Sequence, residues 1–285
     1  MSASEHIAVV GTAALAEAVA DTAHRQAGRV VAGTVAPGET LPDGTGLVIS
    51  VAAPAQRLGI VEQAVAAGLP IVTLPLPSGG ERAEQALRGG RVTQVSLLRG
   101  FAALETLRRE VAGGALGRRY SLFAAYRVRQ GSPDVFDEVG VPLLHYAMGV
   151  LGEAPATAQV TRAGLFGGQD DAWFAILRCA DGTVATVEFA ASLPRSAPAD
   201  LQLLVEANGS DAVLRAEPTR QAVSVAGADG SVRERGWWTD PAREFTLTAL
   251  EAAGSPNPAR ELDWLRFVDR VRQAGVGGQP VGATA

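Results

Sequence analysis

The chain has 285 residues, 47% of them hydrophobic and 19% charged, so it can bury a substantial core and is not disordered by composition. Its formal net charge is −5, and all 25 basic residues are arginines scattered along the chain, which excludes a clustered phosphate-binding groove and leaves no nucleic-acid partner. The single Cys179 excludes an internal disulfide, no apolar run reaches the ~18 residues of a membrane span, and any mechanism that needs a lysine is excluded because the chain has none.

The apolar run His6 to Val10, stopped by Gly11, predicts a buried parallel strand. Leu15, Val19 and Ala23 share one side of a helix over Ala14 to Gln26, and a second strand follows over Arg29 to Thr34. A third strand, Leu47 to Val51, leads to Pro54 at a helix start, with Leu58, Val61 and Val65 as the apolar face and Gly68 as the C-terminal cap. Pro70 to Leu74 is a fourth strand, followed by a helix over Glu81 to Arg88 and a strand over Val92 to Leu97. Strands alternating with helices predict an α/β, Rossmann-type doubly wound parallel sheet.

Beyond this point the pattern changes. A helix over Ala102 to Val111 precedes a strand over Tyr120 to Arg129 and a helix over Val141 to Leu151. From Thr157 to Val225 short strands recur between turns such as Asp181-Gly182, Asn208-Gly209 and Asp229-Gly230. A last helix covers Ala259 to Gln273. The second half is therefore an α+β domain with a mostly antiparallel open sheet, and the break near Gly117 divides the chain into 1–117 and 118–285.

Few isolated residues carry chemistry. Cys179 lies in a strand without a His or Asp motif and reads as a buried structural thiol. His6 and His24 read as structural, Asp170-Asp171 as a turn or strand edge, and Trp237-Trp238 as packing. The three histidines show no metal-ligand spacing, so no metal is expected. The N-terminus has no basic segment followed by an apolar one, so the expectation is a cytoplasmic protein.

Taken in order, the strand ending at Gly11, the run Leu47-Val48-Ile49-Ser50-Val51-Ala52-Ala53-Pro54, the helix ending Ala66-Ala67-Gly68 and the strand Pro70 to Leu76 resemble one known family. So do Gly113-Gly114-Ala115-Leu116-Gly117-Arg118, Gly140-Val141-Pro142-Leu143-Leu144-His145 and the strands from Asp170 to Glu188. Together they resemble the Gfo/Idh/MocA oxidoreductases, which act mostly on sugars, cyclitols and related polyhydroxy compounds with NAD or NADP. The resemblance spans His6 to about Gln279.

The resemblance implies a dinucleotide seated on Gly11, Ala13, Thr34, Pro54 and Pro75, and it exposes four departures. The family's Glu-Lys-Pro after the fourth strand is Thr73-Leu74-Pro75, which keeps the turn but loses the cation. The imidazole that exchanges the hydroxyl proton is replaced by Pro142. The Gly-rich fingerprint reads Gly11, Ala13, Ala16, with a methyl group where the backbone should approach the pyrophosphate. The acidic residue that would bind the ribose is Thr34, and no Arg follows to favour NADP.

His145, about one helical turn past Pro142, is the substitute acid–base candidate, with Glu138 to orient it and Tyr146 as a further candidate. Arg99 follows the fifth strand, where the family places loop residues near the substrate. Three functions stay open: a catalytically impaired or accessory relative of the sugar and cyclitol oxidoreductases, an active NAD(P)-dependent oxidoreductase using His145, and a non-redox enzyme reusing the same cleft. The resemblance implies a homo-oligomer through the C-terminal sheet, and an active paralogue is a further possible partner.

Overall fold

In the computed structural model, which describes residues 6–25, 28–77, 80–131, 134–165, 170–236, 239–277 and 281–282, the first apolar run becomes the middle of a parallel sheet. Strand β1 (His6–Gly11) lies between β2 (Val30–Val35) and β3 (Thr45–Val51), followed by β4 (Ile71–Thr73) and β5 (Val92–Gln94), in the order β2-β1-β3-β4-β5. Every pairing is parallel. Both faces are covered, so the strands read as unbroken apolar runs. On one face α2 (Pro54–Ala66) and α3 (Gly80–Gly89) bury Ile60, Val61, Ala83 and Leu87 against Val10, Val48 and Ile71. On the other face, α1 (Ala13–Arg25) supplies Ala16, Val19 and Ala23, which pack on Ile7, Val9, Ile49 and Val72.

The chain forms two compact units with different bounds from the single break read near Gly117. The parallel unit is Met1–Gly100 with Thr239–Leu265, and the other is Phe101–Trp238 with Arg266–Ala285. A returning segment is the cause. The helix α6 (Pro241–Ala253) places Phe245 and Ala249, both fully buried, beside α1 on the sheet, and Leu262 and Leu265 join the opposite core. Asp240 caps α6 by accepting from the Ala242 N–H at 2.9 Å, with Pro241 in its first turn.

Within the second unit, α4 (Ala102–Ala112) and α5 (Val141–Leu151) pack on one face of a nine-stranded sheet. Its strands are β6 (Arg119–Arg129), β7 (Thr157–Ala163), β8 (Ala172–Arg178), β9 (Val184–Leu193), β10 (Leu201–Gly209), β11 (Ala212–Glu217), β12 (Ala222–Gly227), β13 (Val232–Gly236) and β14 (Val281–Gly282). The order is β13-β12-β11-β10-β6-β9-β8-β7-β14, antiparallel except for β6 beside β9. Alternation gives Leu122, Ala124, Val187, Leu203 and Val205 to the buried face and Phe123, Arg127, Glu188 and Gln202 to the other. The last helix, α7 (Pro258–Gly277), contributes Leu265 and the residues before it to the parallel unit and the remainder to this one. Among the described residues, no helix is long and apolar enough to cross a membrane.

Candidate active site

In the parallel unit, the predicted nucleotide residues lie at the C-terminal ends of the strands. Gly11 closes β1 where β3 approaches closely: a Cβ there would stand 2.7 Å from Val51 Cγ2 and 3.0 Å from the Val51 backbone. Strand packing alone therefore requires this glycine. Ala13 opens α1, but its side chain lies outside the described residues, while Ala16 is 1% exposed against the sheet. Thr34, near the end of β2, is exposed. The first turn of α1 contains no acidic side chain of its own. Backbone amides at a helix start and one exposed hydroxyl are groups of the kind that phosphate and ribose oxygens can meet.

The segment after β4 is built from apolar side chains and prolines. Leu74, where the resemblance implies a lysine, is 6% exposed and belongs to the core containing Val72 and Phe245. Pro75 follows it, and Leu76 is fully buried. Two contacts that the sequence reading missed hold this segment. Arg57, 5% exposed in the first turn of α2 after Pro54, donates from Nε to the Ala52 carbonyl at 2.9 Å and from Nη1 to the Pro75 carbonyl at 2.6 Å. The Leu76 N–H donates to Gln94 Oε1 at 2.7 Å, and Gln94 in turn donates to Glu261 of α7. Glu261 is buried, and burial pushes its carboxyl up to about 7. Pro54 and Arg57 stand three positions apart, an unremarkable spacing, and Gln94 and Glu261 are 167 residues apart; no local pattern pairs them. Arg99 sits half-buried in the short 3-10 turn Leu97–Gly100. That turn packs on α6 so closely that a Cβ on Gly100 would lie 2.3 Å from the Pro241 carbonyl oxygen.

The acid–base candidates belong to the second unit. A π-helical turn, Phe136–Gly140, runs into α5, and Gly140 is forced by an aromatic ring: a Cβ would lie 2.4 Å from Phe189 Cε2. Phe189, Phe136 and Trp173 pack together with ring centroids 4.8 to 5.9 Å apart. Glu138 is exposed on the turn, whereas His145 is 8% exposed on α5, one turn beyond Pro142. Tyr146 is held in the interior. It is 1% exposed and its hydroxyl donates to the Leu104 carbonyl at 2.7 Å, which makes it a link between α5 and α4. Asp137, beside Glu138, pairs with Arg272, whose guanidinium also lies 4.3 Å from the Phe136 ring centre. Burial raises the Asp137 carboxyl above its ordinary value against the pull of Arg272.

The remaining predicted residues have structural settings. Cys179 is free and buried, and burial with the nearby Glu153 and Asp181 pushes its thiol up to about 11, so it stays protonated at neutral pH. The possible ligand atoms of Glu153, Cys179 and Asp181 lie within 4.8 Å of one another, but Asp181 already pairs with Arg119 at 2.9 Å. Asp170 pairs with Arg162, and Asp171 accepts from the Leu165 N–H at 2.6 Å, bracing the chain around β8. Trp237-Trp238 lie outside the described residues.

No family model and no curated protein matches the chain. Solved structures do match along its length. An oxidoreductase from Agrobacterium radiobacter, in complex with NAD+, L-tartaric acid and magnesium, superimposes with a TM-score of 0.80 at 15% identity, covering 98% of each chain. An oxidoreductase from Pseudomonas syringae gives 0.79 at 15% identity, covering 99% of this chain and 100% of that one. An inositol dehydrogenase homolog from Azotobacter vinelandii, complexed with NAD+, gives 0.77 at 16% identity, covering 99% and 98%. Two of these neighbours are oxidoreductases and the third is an inositol dehydrogenase homolog, and the likeness at this identity is one of fold.

Proposed function

We propose that this chain, which has the Gfo/Idh/MocA fold, binds a nicotinamide dinucleotide but lacks lysine-assisted proton transfer. On this reading it is a catalytically impaired or accessory relative of the NAD-dependent sugar and cyclitol oxidoreductases. One observation carries the proposal: Leu74, at the family's lysine position, is 6% exposed and part of a packed core. The position has lost its cation and been absorbed into the apolar interior, with Arg57 fixing the adjoining carbonyls. NAD+ in two of the fold neighbours supports the choice of cofactor.

When bound, such a cofactor supplies hydride transfer. The residues that would hold it are the first-turn amides of α1, which favour phosphate, and Thr34, which offers a hydroxyl to the ribose. Arg57 and Gln94 keep the Pro75–Leu76 backbone in place beside the strand ends. A second reading, retained oxidoreductase activity on a polyhydroxy substrate, is favoured by His145, an imidazole on α5 one turn beyond the missing one.

Titrating the purified protein with NADH and NADPH by calorimetry tests the proposal. Binding weaker than about 1 μM is expected, because Ala13 and Thr34 replace the favoured contacts, together with negligible oxidation of inositols and sugars. Failure of both nucleotides to bind removes the cofactor. Rapid turnover removes the impairment, and His145→Ala then separates the second reading: its activity should collapse if the imidazole moves the proton.

The uncovered face of the nine-stranded sheet carries Phe174, 40% exposed, and a cavity of about 390 Å³ lined by Phe123, Arg127, Gln202, Arg215 and Glu217. Homo-oligomerisation through this face belongs to the same proposal, and a monomer in light scattering would sink it.

A further inference from the structure

The segment after β4 has few ways to be held. In Leu74-Pro75-Leu76-Pro77 the prolines carry no N–H, so only Leu74 and Leu76 can donate from the backbone. The Leu74 N–H reaches the Ser50 carbonyl on β3 at 3.2 Å, and the Leu76 N–H reaches Gln94 Oε1 at 2.7 Å. Gln94 is 4% exposed, and both its remaining donors, the backbone N–H at 3.2 Å and Nε2 at 2.9 Å, meet Glu261 Oε2. The contacts fix the amide orientation, with its oxygen toward Leu76 and its nitrogen toward the carboxyl. A chain of hydrogen bonds thus runs from the segment, through the end of β5, into the first turn of α7.

We propose that Glu261 is a positioning residue: through Gln94 it holds the Pro75–Leu76 segment, and its protonation state sets how firmly. The site is almost closed to water, with Glu261 5% exposed. Its neighbours offer little charge. The hydrogen bonds from Gln94 of β5 and the charge of Arg260, on the same helix, favour the ionised form, while the 74–77 segment contains no ionisable side chain. Arg57 of α2 directs its guanidinium to the Ala52 and Pro75 carbonyls. Burial outweighs these influences, and the carboxyl titrates at about 7 against an ordinary 4.5. A carboxyl whose buried form binds protons more tightly than its solvated form resists burial once ionised. What weakens as pH rises from about 5 through 7 is therefore the closed arrangement that keeps the carboxyl from water, and with it the hold on Gln94 and Leu76. The consequence for dinucleotide binding rests on the function proposed above; the holding of the segment does not.

Hydrogen exchange of the Leu76 amide, corrected for intrinsic rates, tests the proposal without nucleotide. In the parent, opening should rise about tenfold between about pH 6 and pH 8, and Glu261→Gln, which imitates the protonated form, should abolish that rise. An unchanged pH dependence in Glu261→Gln overturns the proposal. Gln94→Met keeps Glu261 but cuts the chain, and should deprotect Leu76 at both pH values; continued protection overturns the proposal independently. NADH titration of the same proteins separates the two inferences. Glu261-dependent exchange without NADH binding supports the positioning role and removes the cofactor reading. Where NADH binds, its affinity should fall with rising pH in the parent and stay level in Glu261→Gln.

Discussion

Leu74 belongs to the core that contains Val72, Val95 and Phe245, so a lysine introduced there would enter the apolar interior. An ammonium at a position 6% exposed would be forced toward its neutral form or out of the core. Leu74→Lys should therefore lower stability by about 2–4 kcal/mol in urea unfolding and give no oxidoreductase activity. A variant as stable as the parent would show that the site tolerates a cation. In the sequence this position is a leucine ahead of a turn-forming Pro75. Its burial was not legible there, since the leucine packs against Phe245 from a helix 171 residues later, by numbering. Tyr146 shows the same limit: a hydroxyl beside His145 suggests chemistry until the Leu104 carbonyl is seen to accept from it.

The π-helical turn ahead of α5 depends on a glycine because the Phe189 ring occupies the space of its missing side chain. Gly140→Ala places a methyl group 2.4 Å from that ring, which is itself packed on Phe136 and Trp173. Overpacking there should cost about 1–3 kcal/mol, read as a lower melting temperature, and near-UV circular dichroism should report the aromatic cluster loosening. Among elements, the strands of the parallel sheet were readable because residues apolar on both faces make continuous runs. Helix α6 went unread although Asp240-Pro241 is a helix-start signal, because its buried face mixes Phe245 and Ala249 with Thr246 and Thr248. Its missing assignment also displaced the domain boundary, since nothing local says that residues after the antiparallel strands return to the first sheet.

At the scale of the molecule, Glu261 should tilt stability against pH. Its folded-state value, about 7, stands above the ordinary 4.5, so its stabilising contribution is full below the lower value and is lost as pH rises through the upper one. Roughly 3 kcal/mol is at stake, and the difference between parent and Glu261→Gln isolates it from other titrating groups. Urea midpoints at about pH 5 and pH 8 should converge in Glu261→Gln relative to the parent. Equal pH dependence in the two proteins would place the proton elsewhere.

The return of α6 to the parallel sheet also orders events during synthesis. Phe245 and Ala249 are fully buried members of the core that covers one side of β1, β3 and β4. A ribosome has already translated the antiparallel strands through β13 before it makes Phe245. The unit that begins the chain is therefore the one that must wait, with an apolar surface short of its cover, while the other is translated. Any chain cut after β13 should leave that surface open to chaperones and to aggregation.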